Sequence, residues 1–120
     1  MIFKMLEKIK KIVEENPIAL ATVNNKNNPH VVVVAYAKVK DNKIIITDNY
    51  MKNSIENIKI NPNVSLAVWD SDWEGFRITG HAEYVQEGEY VDLIKNLKEN
   101  KGMPCKGAIV ILVDEVNKLA

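Results

Sequence analysis

The sequence predicts a mainly β protein in which six antiparallel strands form a closed or partly closed barrel flanked by helices. Three observations predict it. Apolar runs rich in valine and isoleucine recur between turns containing Asn, Asp, Gly and Pro, as the strands of an antiparallel sheet require. The early connections have hairpin length. Helical spacing appears only before the first run and between some later ones, so the regular β-α-β alternation of a parallel Rossmann sheet is missing. At 120 residues the chain is read as one domain, 1–120, without internal repeat, linker or low-complexity stretch.

The elements follow in order. Ile2, Phe3, Leu6, Ile9, Ile12 and Val13 recur at helical spacing with Lys and Glu on the other face, predicting a helix over 2–15. Pro17 disfavours helical geometry at Asn16 and ends it. Residues 18–23 form a first strand, 24–29 a turn, and the valine-rich run 30–39 a second strand that completes a hairpin. Asp41 and Asn42 turn the chain into a third strand, 43–47. The polar loop 48–53 leads to Ser54, read as the N-cap of a short helix over Ile55, Ile58 and Ile60 that stops at Asn61-Pro62. Residues 64–69 are a fourth strand and 76–85 a fifth, with Gly80 where a barrel-type sheet could bend. Tyr90, Val91, Ile94 and Leu97 predict a helix within 87–100, and 108–113 is a sixth strand with a polar tail.

Composition narrows the function. Lysine plus arginine and aspartate plus glutamate both number 16, which argues against a general nucleic-acid binder but leaves room for a small anion. The single cysteine, Cys105, precludes an internal disulfide and fits a reducing compartment. The N-terminus lacks the apolar stretch of a signal peptide, and no run approaches the ~20 apolar residues of a membrane span, so a cytoplasmic protein without a membrane partner is expected. P-loop, GxGxxG, HExxH and GxSxG motifs are absent. His30 and His81 have no cysteine at metal-ligand spacing, so no metal site is expected; Cys105, in Gly102-Met-Pro-Cys-Lys-Gly107, has no protease context and reads as an incidental thiol.

One ordered set of segments is more specific. Leu20-Ala-Thr-Val23, Pro29-His-Val-Val-Val-Val34, Ile44-Ile-Ile-Thr47, Met51-Lys-Asn-Ser54, Asn57-Ile-Lys-Ile-Asn-Pro-Asn-Val-Ser-Leu66 and Arg77-Ile-Thr-Gly-His-Ala82 follow one another after an N-terminal helix. In this order the chain resembles the FMN-binding split-barrel family, which includes the pyridoxamine 5′-phosphate oxidases. In length and in its short last strand it looks most like the small FMN-binding protein of sulfate-reducing bacteria. The resemblance implies a six-stranded split barrel holding one FMN per subunit in a homodimer, with the cofactor at the interface. It also implies that the backbone of His30, Val31, Val32, Val33 and Val34 reads the edge of the isoalloxazine ring.

The chemistry of the implied ligand fits particular residues. A phosphate of charge near −2 needs several donors in one place. Lys52 offers a cation, Thr47, Asn53 and Ser54 offer hydroxyl or amide donors, and a helix start adds N–H groups; Asp48 lies in the same segment. The alternative is that Ser54 only caps and Lys52 is a solvated lysine. The family usually carries its phosphate-binding Lys or Arg at position 53 or 54, so this chain, with lysine at 52, departs there. Trp73, Trp69 and Tyr50 are candidates to cover the ring across the dimer, with core packing the alternative for Trp69. Arg77 and Lys106 are candidates to tune the ring, a cross-strand ion pair being the alternative for Arg77. The expected function is a small-molecule oxidoreductase or electron carrier with a redox partner. The alternatives are a non-catalytic protein that binds or stores flavin, deazaflavin or haem, and a barrel used only for protein interaction. A true pyridoxamine phosphate oxidase is not expected, because the arginine- and tryptophan-bearing C-terminal portion for its substrate is missing from this sequence.

Overall fold

The computed structural model describes residues 2–119, and the side chains of Ile2, Phe3 and Met5 lie outside the described set. Helix α1 (Ile2–Glu15) buries Leu6, Ile9 and Val13 at the spacing that places them on one stripe. Strand β1 (Ile18–Val23) follows Pro17 directly and pairs antiparallel with β2 (Pro29–Val34), Ile18 opposite Val34 and Val23 opposite Pro29. Their turn is closed by Asn24, whose Oδ1 accepts the Lys26 and Asn28 amides at 2.8 and 3.0 Å.

The valine-rich run expected to be one strand is two. Ala35 and Tyr36 leave the ladder, and β3 (Ala37–Lys40) pairs instead with β4 (Lys43–Asp48). The sheet therefore has seven antiparallel strands rather than six, in the order β2-β1-β5-β6-β7-β4-β3. Its two edge strands, β2 and β3, are joined by only two residues, so the sheet must curl into a half-barrel to bring those edges together. Alternation also slips at the corner. Val34 and Ala37 are both buried, three residues apart, where a continuous strand would bury every second residue.

The remaining strands are β5 (Asn63–Trp69), β6 (Gly75–Val85) and β7 (Gly107–Lys118). The last strand is twice the length expected. Residues read as a polar tail continue the ladder, from Thr79 opposite Glu115 to Phe76 opposite Lys118. Their polarity reflects one-sided burial, since Val116 turns inward among exposed Asp114 and Glu115. The register shifts between Thr79 and Gly80, where a Cβ would stand 2.3 Å from the Leu112 carbonyl oxygen; a glycine is what lets the strands cross so closely.

Helix α2 (Asn53–Ile60) ends at Asn61. The helix expected within 87–100 is shorter: α3 covers Glu89–Lys95, and a single 3₁₀ turn follows at Lys98–Asn100. Asn96 stops it, its side-chain amide donating to the Asp92 carbonyl at 2.8 Å in place of a further turn. Strand β4 is apolar on both faces because both are covered. Ile44 and Ile46 join the barrel core with Leu20, Leu66 and Ile109, while Ile45 packs under α3 with Val91, Ile94, Ala108 and Val110. Helix α1 meets the exposed edge of β3, where Glu14 Oε2 accepts the Val39 N–H at 2.8 Å.

Candidate functional site

The corner between β2 and β3, the loop after β4 and the start of α2 enclose a groove of about 440 Å³. One wall is β2. It pairs with β1 on one side only, so every second residue turns its N–H and C=O into open space. The opposite end is the start of α2. Lys52 occupies its N-cap position and provides no side-chain cap, which corrects the assignment of that role to Ser54. Ser54 sits one residue inside the helix and is buried. The intrahelical ladder begins with the Glu56 N–H on the Lys52 carbonyl at 3.1 Å, and the amides of Asn53, Ser54 and Ile55 have no partner among the described residues.

The loop before α2 is tied down from behind. Asp48 is buried, and both its carboxylate oxygens accept hydrogen bonds: Oδ1 from the Met51 amide at 2.8 Å, Oδ2 from the Tyr84 hydroxyl at 2.6 Å. Burial, followed by this contact with Asp48, raises the Tyr84 hydroxyl pKa well above that of an ordinary tyrosine. Lys106 ties the same loop a second time. Its amide donates to the Asp48 carbonyl at 2.9 Å and its ammonium to the Met51 carbonyl at 3.2 Å.

Of the residues expected to bind, His30, Val32, Val33, Val34, Thr47, Lys52, Asn53 and Ser54 border this one groove. Three do not. Val31 faces outward at 65% exposure, Asp48 is spent on the loop, and Trp73 stands on the β5–β6 loop at 83% exposure, away from the groove within the chain. Tyr50 does line it, whereas Trp69 is half-buried elsewhere on β5. Arg77 is exposed and has no ion pair; the described residues contain only His81 Nδ1 to Asp114 Oδ2, at 2.7 Å. Lys106 reaches the loop beside α2 rather than β2. Tyr36, Met51 and Met103 were not anticipated as lining residues. Tyr36 carried a usable signal had the corner been seen; Met103 is delivered by a turn far along the chain, where the Met103 amide bonds the Asn100 carbonyl at 3.1 Å.

The donor set suits an elongated ligand with an anionic end and a flat apolar end. Lys52, the Asn53 and Ser54 side chains and three free amides gather at one end, where the helix dipole also favours negative charge. Thr47 lies beside them, its hydroxyl donating to Asn49 Oδ1 at 2.9 Å and lying 3.7 Å from Cys105 Sγ. Val32, Val34, Tyr36, Met51 and Met103 make the other surfaces apolar. His30 adds an unmet requirement, because its Nδ1 is buried without a hydrogen-bond partner. These residues fit a flavin mononucleotide. No helix among the described residues is long and apolar enough to cross a membrane.

Comparison with known proteins agrees with the fold. The chain is 29% identical to an uncharacterised protein of Methanocaldococcus jannaschii, over 98% of this chain and 83% of that one. It is 35% identical to a pyridoxine/pyridoxamine 5′-phosphate oxidase of Bdellovibrio bacteriovorus over 67% of its own length, a match that spans only 41% of that enzyme. In fold it is similar to HupZ of Group A Streptococcus, with a TM-score of 0.85 at 23% identity over 94% of this chain and 92% of that one. It is similar also to an FMN-binding protein from Syntrophomonas wolfei, with a TM-score of 0.81 at 18% identity over 98% and 88%. The profile of the pyridoxamine 5′-phosphate oxidases matches residues 5–120, nearly the whole length, and the chain belongs to that family.

Proposed function

We propose that residues 1–120 form one flavoprotein unit that binds FMN in the groove between β2 and α2. The observation that carries this reading is the start of α2, a helix end without a side-chain cap that opens, with Lys52 beside it, onto an apolar groove walled by an unpaired strand edge. The phosphate would be held by Thr47, Lys52, Asn53, Ser54 and the first amides of α2. The backbone of His30 to Val34 would meet the polar edge of the ring, and Tyr36, Tyr50 and Met103 would cover its apolar surface. When bound, the flavin supplies one- or two-electron redox chemistry, and the residues around it orient it and exclude water.

A second copy of the chain is the proposed cover for the open side. Val31 and Val33 leave β2 exposed at 65% and 71%, beside Tyr50 at 73%. Such apolar side chains on an edge strand favour burial against a partner. Trp73, held outward by a left-handed φ of 62°, is a candidate to reach the partner's groove. An electron carrier or small-molecule oxidoreductase is favoured over a pyridoxamine phosphate oxidase, since the only arginine, Arg77, stands on β6 outside the groove of its own chain.

The test is direct. Purified protein mixed with FMN should quench the flavin fluorescence and remain yellow after gel filtration. Replacing Lys52 and Ser54 together by alanine removes at least one charge-assisted contact, a loss of about 1.5–3 kcal/mol, or roughly tenfold or more in affinity. Unchanged affinity in that variant rejects the phosphate assignment. Reduction of the bound flavin by a nicotinamide nucleotide, with reoxidation by an added acceptor, separates a redox protein from a store.

A further inference from the structure

Two residues outside the groove converge on the loop that forms its anionic end. Tyr84 is on β6 and Lys106 immediately precedes β7, and neither borders the groove. Yet both bond to the segment 48–51. The Tyr84 hydroxyl donates to Asp48 Oδ2 at 2.6 Å, and the Asp48 Oδ1 then accepts the Met51 amide at 2.8 Å, closing a turn over three residues. The Lys106 ammonium donates to the Met51 carbonyl at 3.2 Å while its amide holds the Asp48 carbonyl at 2.9 Å. Met51 is thus fixed through both its N–H and its C=O. The next residue is Lys52, which leads into the free amides of α2.

We propose that Tyr84 and Lys106 are positioning residues for the phosphate cradle. They work through Asp48 and Met51 to set where Lys52 and the first turn of α2 stand, without touching the ligand themselves. Resting on the FMN reading above, the idea adds a division of labour within it. Three features support a role beyond plain packing. The Tyr84 hydroxyl is aimed at a carboxylate rather than at solvent, and a Cβ at Gly107 would stand 2.6 Å from that hydroxyl oxygen, so glycine at 107 leaves the ring its place. Asp48 would otherwise bring an uncompensated negative charge to an anion site. Here one oxygen is occupied by a backbone amide and the other by a phenol, and the Lys106 ammonium adds a positive charge at the Met51 carbonyl of the same loop. Finally, among the described residues the Tyr84 hydroxyl and the Lys106 ammonium are the only side-chain donors to Asp48 or Met51.

The experiment compares FMN with riboflavin, which carries the same ring and ribityl chain without the phosphate. Affinities of both are measured by fluorescence quenching for the natural protein, Tyr84→Phe and Lys106→Met. The natural protein should prefer FMN. Each variant should lose that preference by about tenfold, as expected for a displaced charge-assisted contact, while its riboflavin affinity stays close to natural. A variant that weakens both ligands equally, or neither, overturns the positioning role. Lys106 is exposed, so Lys106→Met keeps the test valid should Tyr84→Phe fold poorly. A natural protein that binds flavin without preferring FMN removes the phosphate reading itself, and the positioning role with it, before any variant is made.

Discussion

At the scale of single residues, the structure separates groups that touch the groove from groups that shape it. Asp48 shows the difference. Its position in a polar loop beside Thr47 suggested a binding role, but its carboxylate is fully engaged by Met51 and Tyr84. Sequence cannot reveal this, because Tyr84 lies 36 residues away and only the fold sets it opposite. That Lys52 and Ser54 lie at the start of a helix was legible, since that signal is local, although the N-cap position falls to Lys52 and not to Ser54. That the His30 Nδ1 is buried and unpartnered was not legible, because it depends on how the strands around it fold. Gly80, expected where the sheet could bend, marks a register shift between β6 and β7, and the glycine answers a hard contact. Gly80→Ala should destabilise the protein by about 1–3 kcal/mol in urea unfolding, because the added methyl meets the Leu112 carbonyl oxygen and backbone cannot yield as a side chain does. A variant as stable as the natural protein would contradict the close crossing of β6 and β7.

At the scale of elements, the helices and hairpins with local signals were legible, and the strand break was not. Nothing in Val31 to Val39 marks Ala35-Tyr36 as a corner, because apolar residues flank it on both sides and neither glycine nor proline interrupts them. The break is enforced by pairing: β2 pairs with β1, whereas β3 pairs with β4, and the two pairs lie at opposite edges of the sheet. The long β7 was missed for a related reason, its outer face being polar where only Val116 turns inward. Helix α1 also does more than bury a stripe. By accepting the Val39 N–H, Glu14 satisfies part of the β3 edge. Glu14→Ala should cost about 1–3 kcal/mol and speed hydrogen exchange at the Val39 amide, since that group loses its acceptor in a partly buried position. Exchange at the natural rate would show that α1 does not guard that edge.

At the scale of the whole molecule, curling the sheet creates the groove. Joining edge strands β2 and β3 through two residues leaves the backbone of β2 unpaired beside the start of α2, two features that supply hydrogen bonds to a ligand and neither of which is fully satisfied within the chain. The same edge leaves Val31 and Val33 exposed, which, with the exposed Trp73 of the β5–β6 loop, is the basis for proposing a homodimer. Val33→Lys places a charge on that face without disturbing the core; sedimentation should show the variant as monomer where the natural protein is dimer. Equal sedimentation of the two would remove β2 from the interface. The ordered succession of segments made the mainly β split-barrel class foreseeable, though not the seventh strand. The partner of each loop residue was not, because those pairs form only when β6 and β7 close behind the loop. The central claim, that a phosphate docks on the first turn of α2, is tested most directly by amide NMR of the natural protein titrated with FMN and with riboflavin. FMN should shift the amides of Asn53, Ser54 and Ile55 together with those of β2, while riboflavin shifts only the β2 set. Saturation with FMN that leaves the three helix amides unmoved would contradict the account.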